Sequence, residues 1–323
     1  MTPQELRETV YKFQTSRIIL TALELGIFTA LGDTEKTSGE VSKTISTDLR
    51  ATDRLMNSLC IIKLLLKKDG KFSNTSFSSQ YLVQGNPDYI SNLLHAVNLW
   101  DSWSNLTDVI RNGKPAGRTG SNRNDWLDNF IEAMHYRALE QAPEDISYLD
   151  LAGVQNVLDV GGGSAAFSME FVKIKKEITA TVFDLPEVIP LTQKYISNAG
   201  LSEKIRTIKG NYLFDDLGSG YDIIFLSAIV HSNSYEDNKK LIQKCANSLN
   251  QKGQLVIQDY AMNEERTSPP RGTFFAINML VNTQGGDTFT QSEIYSWLTS
   301  AGLKELKSRE TSHGATQITG RKL

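Results

Sequence analysis

The chain has 323 residues, with 34 Lys+Arg against 37 Asp+Glu and 40% hydrophobic residues, enough for about two globular domains. A net charge of −3 supplies no basic field for nucleic acid or an anionic membrane, so neither is expected as a partner. Two cysteines, Cys60 and Cys245, and four histidines argue against a disulfide scaffold or a zinc centre; with no signal-like start and no long apolar run, a soluble cytoplasmic protein without a metal is expected.

In chain order, Phe13, Ile18, Leu20, Leu23, Leu25 and Ile27 predict one long helix ending at a Gly26 turn. Thr37-Ser38-Gly39-Glu40 opens a short helix, and Thr47-Asp48 caps another from Ala51 to Leu66. Lys68-Asp69-Gly70-Lys71 then turns between two short extended pieces. Three helices and a hairpin are the order of a winged helix. Leu59, Ile61, Ile62, Leu64 and Leu65 cover more than one face of its third helix, which favours subunit contact over reading a DNA groove.

Residues 89–150 read as helices rich in aromatics. Trp126, His135 and Tyr136 are expected as core or linker contacts. Trp100, Trp103, Phe130 and Met134 are candidates for the lid of an apolar ligand pocket.

Near residue 150 the texture changes to alternating β and α. The apolar strand Asn156-Val157-Leu158-Asp159-Val160 runs into Gly161-Gly162-Gly163-Ser164, and a helix follows from Ala165 to Lys173. Glycines there let the chain turn sharply and let a ligand approach the backbone. The second strand, Thr179 to Phe183, ends in Asp184, 21 residues after Gly163. An acid so placed can grip both hydroxyls of a ribose, which points to a nucleoside-containing cofactor. NAD is one candidate: its fingerprint asks for G-x-G-x-x-G, and Ala166 stands at the last position, a tolerated variant.

A third strand, Ile205 to Lys209, exits through Gly210-Asn211-Tyr212, and a fourth runs from Tyr221 to Ala228, with His231 just beyond. A helix from about Asp237 to Leu249, a Gln251-Lys252-Gly253 turn and a fifth strand, Gln254 to Asp259, complete the pattern.

Together LDVGGGS, FDLPEV, KGNYLFDDL, YDIIFLSAIVH and ANSLNQKGQLVIQDY resemble the S-adenosylmethionine-dependent methyltransferases of the plant caffeate, acetylserotonin and bacterial polyketide O-methyltransferase type. The resemblance extends to ALELGIFTAL near the N-terminus and INMLVNTQGGDTFTQSEIYSWLTSAGL near the C-terminus, nearly the whole chain. It implies a winged-helix-like dimerisation domain over 1–100 and a doubly wound, Rossmann-like α/β domain over 101–323, with 101–150 a helical linker contributing to the substrate pocket. It also implies a homodimer, S-adenosylmethionine as cofactor and a small aromatic acceptor.

Position by position, the resemblance puts Gly161 and Gly163 against the methionine part of the cofactor, with Asp159 beneath the turn. Asp184 would bind the ribose and Leu185 flank the adenine. Gly210, Asn211 and Tyr212 stand where the family has Gly-Asp-Phe, and Asn211 can still accept from the adenine amino group through its carbonyl. Ala165 replaces a usual glycine, and Ser227 falls at a common cofactor contact. His231 matches the family's general base, and Asp259 the acid that orients it. A phenol with pKa about 10 is barely ionised at neutral pH, whereas an imidazole near 6.5 can take its proton.

The pattern departs at two further places. The family's His-Asp-Trp is His231-Ser232-Asn233 here; its Glu-Arg-Thr falls on Thr288-Phe289-Thr290, so Thr288 replaces a second acid and Asp287 is one residue off. Asn278 and Met279 lie on the segment that would cover the acceptor, and Glu264-Glu265-Arg266 reads as a solvated loop. Carbon or nitrogen methylation, which asks less of a base, and a non-catalytic cofactor- or DNA-binding regulator are the alternatives.

Overall fold

Capping residues set the helices of the N-terminal part. In the computed structural model, which describes residues 1–90, 93–115 and 123–323 apart from the side chains of 123–125, the chain divides into two units, Met1–Trp100 and Asp101–Leu323. Thr2 and Thr37 each form a capping box, with Glu5 and Glu40, and so start the helices Pro3–Tyr11 and Ser38–Thr44. The helix Phe13–Glu24 ends before Gly26, whose φ of +68° is the left-handed turn expected there, and Ile27–Leu31 follows. Asp48 accepts from the Ala51 N–H at 2.8 Å and opens Leu49–Ile61.

That helix stops at Ile61, not at Leu66. Lys63 takes a left-handed φ of +61°, and the Leu64 N–H reaches back to the Leu59 carbonyl at 2.9 Å, a closure that satisfies the last carbonyls and turns the chain out of the helix. Leu65–Lys68 (β1) then pairs antiparallel with Lys71–Asn74 (β2), Lys68 opposite Lys71. Ile27, Phe28, Leu31, Val41, Met56, Leu59, Leu65 and Phe72 form this unit's core. Ile61, expected to be covered, is 83% exposed. The helix Pro3–Tyr11 buries nothing, and Leu6, Val10, Tyr11 and Phe13 all stand at least half exposed.

The second unit carries a seven-stranded mixed sheet, the doubly wound α/β architecture expected. Asn156–Val160 (β3), Thr179–Asp184 (β4), Ile205–Lys209 (β5), Tyr221–Ser227 (β6) and Leu249–Asp259 (β7) are parallel, in spatial order β5-β4-β3-β6-β7. Lys304–Glu310 (β8) and Thr316–Arg321 (β9) add an antiparallel hairpin beyond β7, in the order β7-β9-β8. Nothing in the sequence reading foresaw that hairpin: β8, Lys-Glu-Leu-Lys-Ser-Arg-Glu, is largely charged and exposed. Gln251-Lys252-Gly253 is an irregularity inside β7, where the register against β6 shifts, and not a free turn.

Alternation along the strands builds two cores. Leu158, Ile224, Leu226, Leu255 and Ile257 face the helices Tyr235–Ser248 and Gln291–Ser300. Val157, Ala180, Val182, Ile223, Phe225 and Val256 face Arg123–Ser147, Ala166–Ile174 and Ile189–Asn198. Each fully buried large apolar side chain contributes about 1.5–3 kcal/mol, so the two faces together hold the strand ends level. No helix among the described residues is long and apolar enough to cross a membrane.

Candidate active site

Because β3, β4, β6 and β7 are parallel, their carboxyl ends open on one edge, on either side of the point where the strand order reverses. The register pairs Val160 with Phe183, Asp184 with Lys209 and Ser227 with Gln258. Asp159, Gly161, Gly163, Asp184, Leu185, Gly210, Asn211, Tyr212, Ser227, His231 and Asp259 all fall at these ends or in the loops just beyond. Sequence separations of up to 100 residues are thereby folded into one crevice.

The glycine turn is pinned on every side. Gly161 donates its N–H to the Phe183 carbonyl at 2.7 Å, Gly163 donates to Asp184 Oδ2 at 2.8 Å, and the Thr192 hydroxyl donates to the Gly163 carbonyl at 2.5 Å. Gly161 has φ +68°, and a Cβ there would sit 2.2 Å from Ile229 Cδ1. A Cβ on Gly162 would lie 2.7 Å from the Asp159 carboxylate. Ala165, the helix N-cap in place of a glycine, is held at φ +67°. The result is a turn that only glycine can make at 161 and 162, because its own chain already fills their Cβ positions.

Two buried carboxylates line that turn. The Ser168 hydroxyl donates to Asp159 Oδ2 at 2.8 Å. Burial pushes the Asp159 carboxyl up to about 7; Ser168 opposes the shift, and the charge of Asp184 adds to it. Asp184 is also raised by burial, against the N–H groups of Gly163 and Leu185, each of which donates to one of its oxygens. Every oxygen so engaged keeps a second accepting direction. Cationic ligands suit such a site, because a positive charge lowers the cost of both carboxylates.

Asp159 therefore makes a prediction about the ligand-free protein. A carboxyl raised from 3.8 to about 7 contributes stability that is complete below 3.8, declines as pH rises and is lost above about 7. The Tm of wild type is expected to fall between pH 5 and pH 8 more steeply than that of Asp159→Asn, which keeps an acceptor for Ser168 but has no proton to lose. Parallel Tm curves would remove the carboxyl from this account.

At the third strand, Gly210 is tight because a Cβ would lie 2.5 Å from Phe183 Cζ. Asn211 Oδ1 accepts the Leu213 N–H at 2.9 Å, shaping the loop with a lone pair to spare. Tyr212 donates its hydroxyl to Asn233 Oδ1 at 3.1 Å, and Asn233 in turn donates to Asn238. Ser227, half-buried at the end of β6, accepts weakly from Gln258 at 3.4 Å.

His231 sits on a short 3-10 turn, Val230–Ser232, just past β6. Its Nδ1 lies 2.9 Å from both oxygens of Asp259 at the end of β7, and its backbone N–H donates to Asp259 Oδ2 at 3.3 Å. Asp259 is 6% exposed and also accepts the Tyr260 N–H. A carboxylate only accepts, so Nδ1 carries the hydrogen and Nε2 is left with its lone pair. The Phe275 ring stands edge-on to the imidazole, with centroids 4.8 Å apart, and fixes its rotation. This arrangement can take a proton at Nε2 and hold the imidazolium that forms.

The residues expected over the acceptor are gathered less uniformly. The Trp103 indole donates to Asn278 Oδ1 at 3.0 Å, joining the helix Leu93–Ser104 to Pro270–Asn282. Met279 is buried, Phe130 stacks on Trp126 with centroids 5.3 Å apart, and Met134 is half-buried on Arg123–Ser147. Trp100 belongs to the first unit, where the Arg17 guanidinium lies 5.6 Å from its ring centroid.

Three features escaped the sequence reading. His135, expected as a core or linker contact, is hydrogen-bonded through Nδ1 to Ser164 Oγ at 2.8 Å and packs on Tyr195, so it ties Arg123–Ser147 to the glycine turn; burial, then Lys173, lowers its pKa. Phe275 was not singled out at all. Arg266, expected in a solvated loop, instead binds Asp287, Glu293 and the Thr288 carbonyl. The sequence carries no local signal for these contacts, because each pair lies more than 20 residues apart along the chain.

Residues 103–304 match the family model of the O-methyltransferase domain, and residues 8–84 match that of the O-methyltransferase dimerisation domain. Among curated proteins, the 3-hydroxy-5-methyl-1-naphthoate 3-O-methyltransferase of Streptomyces sahachiroi is 28% identical, covering 97% of this chain and 92% of that protein. Acetylserotonin O-methyltransferase of Gallus gallus is 24% identical over 99% of this chain and 97% of its own. An O-methyltransferase family protein from Burkholderia thailandensis superposes with a TM-score of 0.88 at 23% identity, over 100% of this chain and 98% of its own. Human N-acetylserotonin methyltransferase, solved in complex with SAM, does so with a TM-score of 0.83 at 23% identity, over 99% of this chain and 97% of its own.

Proposed function

Since the chain belongs to the O-methyltransferase family, we propose that it methylates a hydroxyl of a small aromatic molecule, using S-adenosylmethionine and His231 as general base. The cofactor supplies an electrophilic methyl group on a sulfonium. The residues present fit it: glycines at 161 and 162 let the turn pass where Ile229 and the Asp159 carboxylate already fill the Cβ positions, and two buried carboxylates complement its positive charge. Asp184 would hold the ribose hydroxyls, Gly161 and Gly163 the methionine part above Asp159, and Leu185, Gly210, Asn211, Tyr212 and Ser227 the remainder.

One observation carries the choice of oxygen as acceptor. Asp259 fixes Nδ1 of His231 from both oxygens, so Nε2 is the atom left to receive the proton of an acceptor hydroxyl. General-base assistance of this kind contributes roughly 10²–10⁴-fold. Trp103, Phe130, Met134, Asn278 and Met279 are assigned to the acceptor pocket, on the Trp103–Asn278 bond and on their elements. The aromatic class follows from these side chains and from the naphthoate and acetylserotonin named in the relatives. With S-adenosylmethionine and a hydroxylated naphthoate or simple phenol, O-methylated product and S-adenosylhomocysteine are expected in equal amounts. An acceptor with its hydroxyl already methylated should be inert. Turnover confined to carbon or nitrogen acceptors would favour the second reading, which Thr288 in place of a second acid keeps in view.

We place the domain boundary at residues 100 and 101, with 101–150 contributing to the pocket. The helices followed by the β1–β2 hairpin support a winged-helix-like first domain. A homodimer is supported by the matched dimerisation region and by Leu6, Val10, Tyr11, Phe13 and Ile61, apolar side chains that the chain does not bury by itself. Light scattering should give twice the chain mass, and Val10→Asp should lower it; a monomeric wild type would refute the assignment. The free thiols Cys60 and Cys245 suit a reducing, cytoplasmic setting.

A further inference from the structure

The imidazole of His231 is held by Asp259 and Phe275, but its main chain is held from another direction. The His231 carbonyl accepts the Asp287 N–H at 3.0 Å. Gly286 lies so near that a Cβ there would sit 2.4 Å from that same carbonyl oxygen, and a Cβ on Gly285 would sit 3.0 Å from Ser234 Cβ. The backbone of residues 285–287 is thus a wall against the turn that carries the proposed base. Where that wall stands decides where the imidazole stands.

The wall needs an anchor, because Asp287 does not supply one through the base. Asp287 Oδ1 accepts the Thr288 N–H at 2.8 Å, and Oδ2 accepts from Arg266 Nη1 at 3.2 Å. Arg266 Nη1 also donates to the Thr288 carbonyl at 2.6 Å, and Nη2 donates to the two oxygens of Glu293 at 2.7 and 2.8 Å. Glu293 is itself fixed as the capping-box partner of Thr290. On the other side, Asn263 Oδ1 accepts the N–H groups of Thr267 and Ser268, which closes the loop bearing Arg266. The Arg266 carbonyl accepts from the Thr273 hydroxyl on the helix that carries Phe275. Arg266 therefore joins the wall and the helix Gln291–Ser300 through its guanidinium, and the helix behind the imidazole through its backbone carbonyl.

A half-exposed ion pair alone is worth little, but a planar fork whose Nη2 reaches both oxygens of Glu293 while Nη1 reaches Asp287 and the Thr288 carbonyl fixes direction as well as distance. We propose that Arg266 is a positioning residue for His231, setting the imidazole through the Asp287–Thr288 backbone. It takes the place of a second acid acting on the ring itself, since Thr288 occupies that position. The proposal rests on the reading of His231 as base.

The test compares wild type, Arg266→Lys, Arg266→Gln and Gly286→Ala, with His231→Ala alongside. Turnover of a phenolic acceptor, S-adenosylmethionine Kd by calorimetry and the low-field Nδ1–H proton resonance of His231 are measured for each. Arg266→Gln is expected to lower kcat at least tenfold, leave Kd within about twofold and shift or broaden the resonance. Arg266→Lys, which keeps charge without the fork, should recover part of both. Gly286→Ala should reproduce the kcat loss by moving the wall directly. An unchanged resonance and kcat in Arg266→Gln, with only a lower Tm, would overturn the proposal. Because the resonance reports on His231 whether or not it is the base, turnover by His231→Ala would sink the base reading while the resonance still decides the role of Arg266.

Discussion

His231→Ala is expected to lower kcat for methyl transfer to a phenol by roughly 10²–10⁴-fold while leaving S-adenosylmethionine Kd within about twofold. The reasoning is geometric. Nδ1 is committed to a buried carboxylate at 2.9 Å, the ring is fixed edge-on by Phe275, and Nε2 is the remaining basic atom of that side chain. Alanine removes the proton acceptor and nothing that forms the glycine turn, which is held by Phe183, Asp184 and Thr192. Asp259→Asn should also lower kcat, because an amide neither holds the hydrogen on Nδ1 nor stabilises the imidazolium. Steady-state kinetics with cofactor titration on the same samples checks both. Retained turnover in His231→Ala would point to an acceptor that needs no base.

Asp184→Ala should act on the other partner. A carboxylate that accepts two ribose hydroxyls makes two charge-assisted hydrogen bonds, each worth about 1.5–3 kcal/mol, so Kd should rise by roughly 10²-fold or more. The substitution also leaves the Gly163 and Leu185 N–H groups without their acceptor, and the glycine turn would lose one of its pins. Asp184→Asn separates the two effects, since it keeps shape and one acceptor and should weaken binding less. Calorimetry measures the affinity, and Tm without ligand measures the cost to the turn. Wild-type affinity in Asp184→Ala would mean that the ribose is gripped elsewhere.

The local pieces of the site were legible because each rests on short-range chemistry. Three glycines after an apolar strand favour a sharp turn, and an acid 21 residues on falls at the end of the next parallel strand. The places of Asp159, Gly161, Gly163, Asp184 and His231 at or just beyond the strand ends needed no more than that and the family pattern. The N-caps at Thr37 and Asp48 were legible for the same reason, as a side-chain oxygen three residues ahead of a backbone donor. The end of Leu49–Ile61 was not: apolar residues continue through Leu66, and only the left-handed turn at Lys63 shows that the later ones belong to a strand.

What the amino-acid order determined by itself is therefore the alternation of strands and helices, the glycine turn, the acids at the strand ends and the histidine beyond β6. The tertiary structure alone decided which groups meet across long separations: His135 with Ser164, Phe275 with His231, and Arg266 with Asp287 and Glu293. It also decided that the exposed, charged β8 joins the sheet through β9, and that the Asp287 backbone, and not its carboxylate, touches His231. Turns and caps are settled within a few residues, whereas side-chain partners depend on strand order and helix placement, which only the packed core fixes.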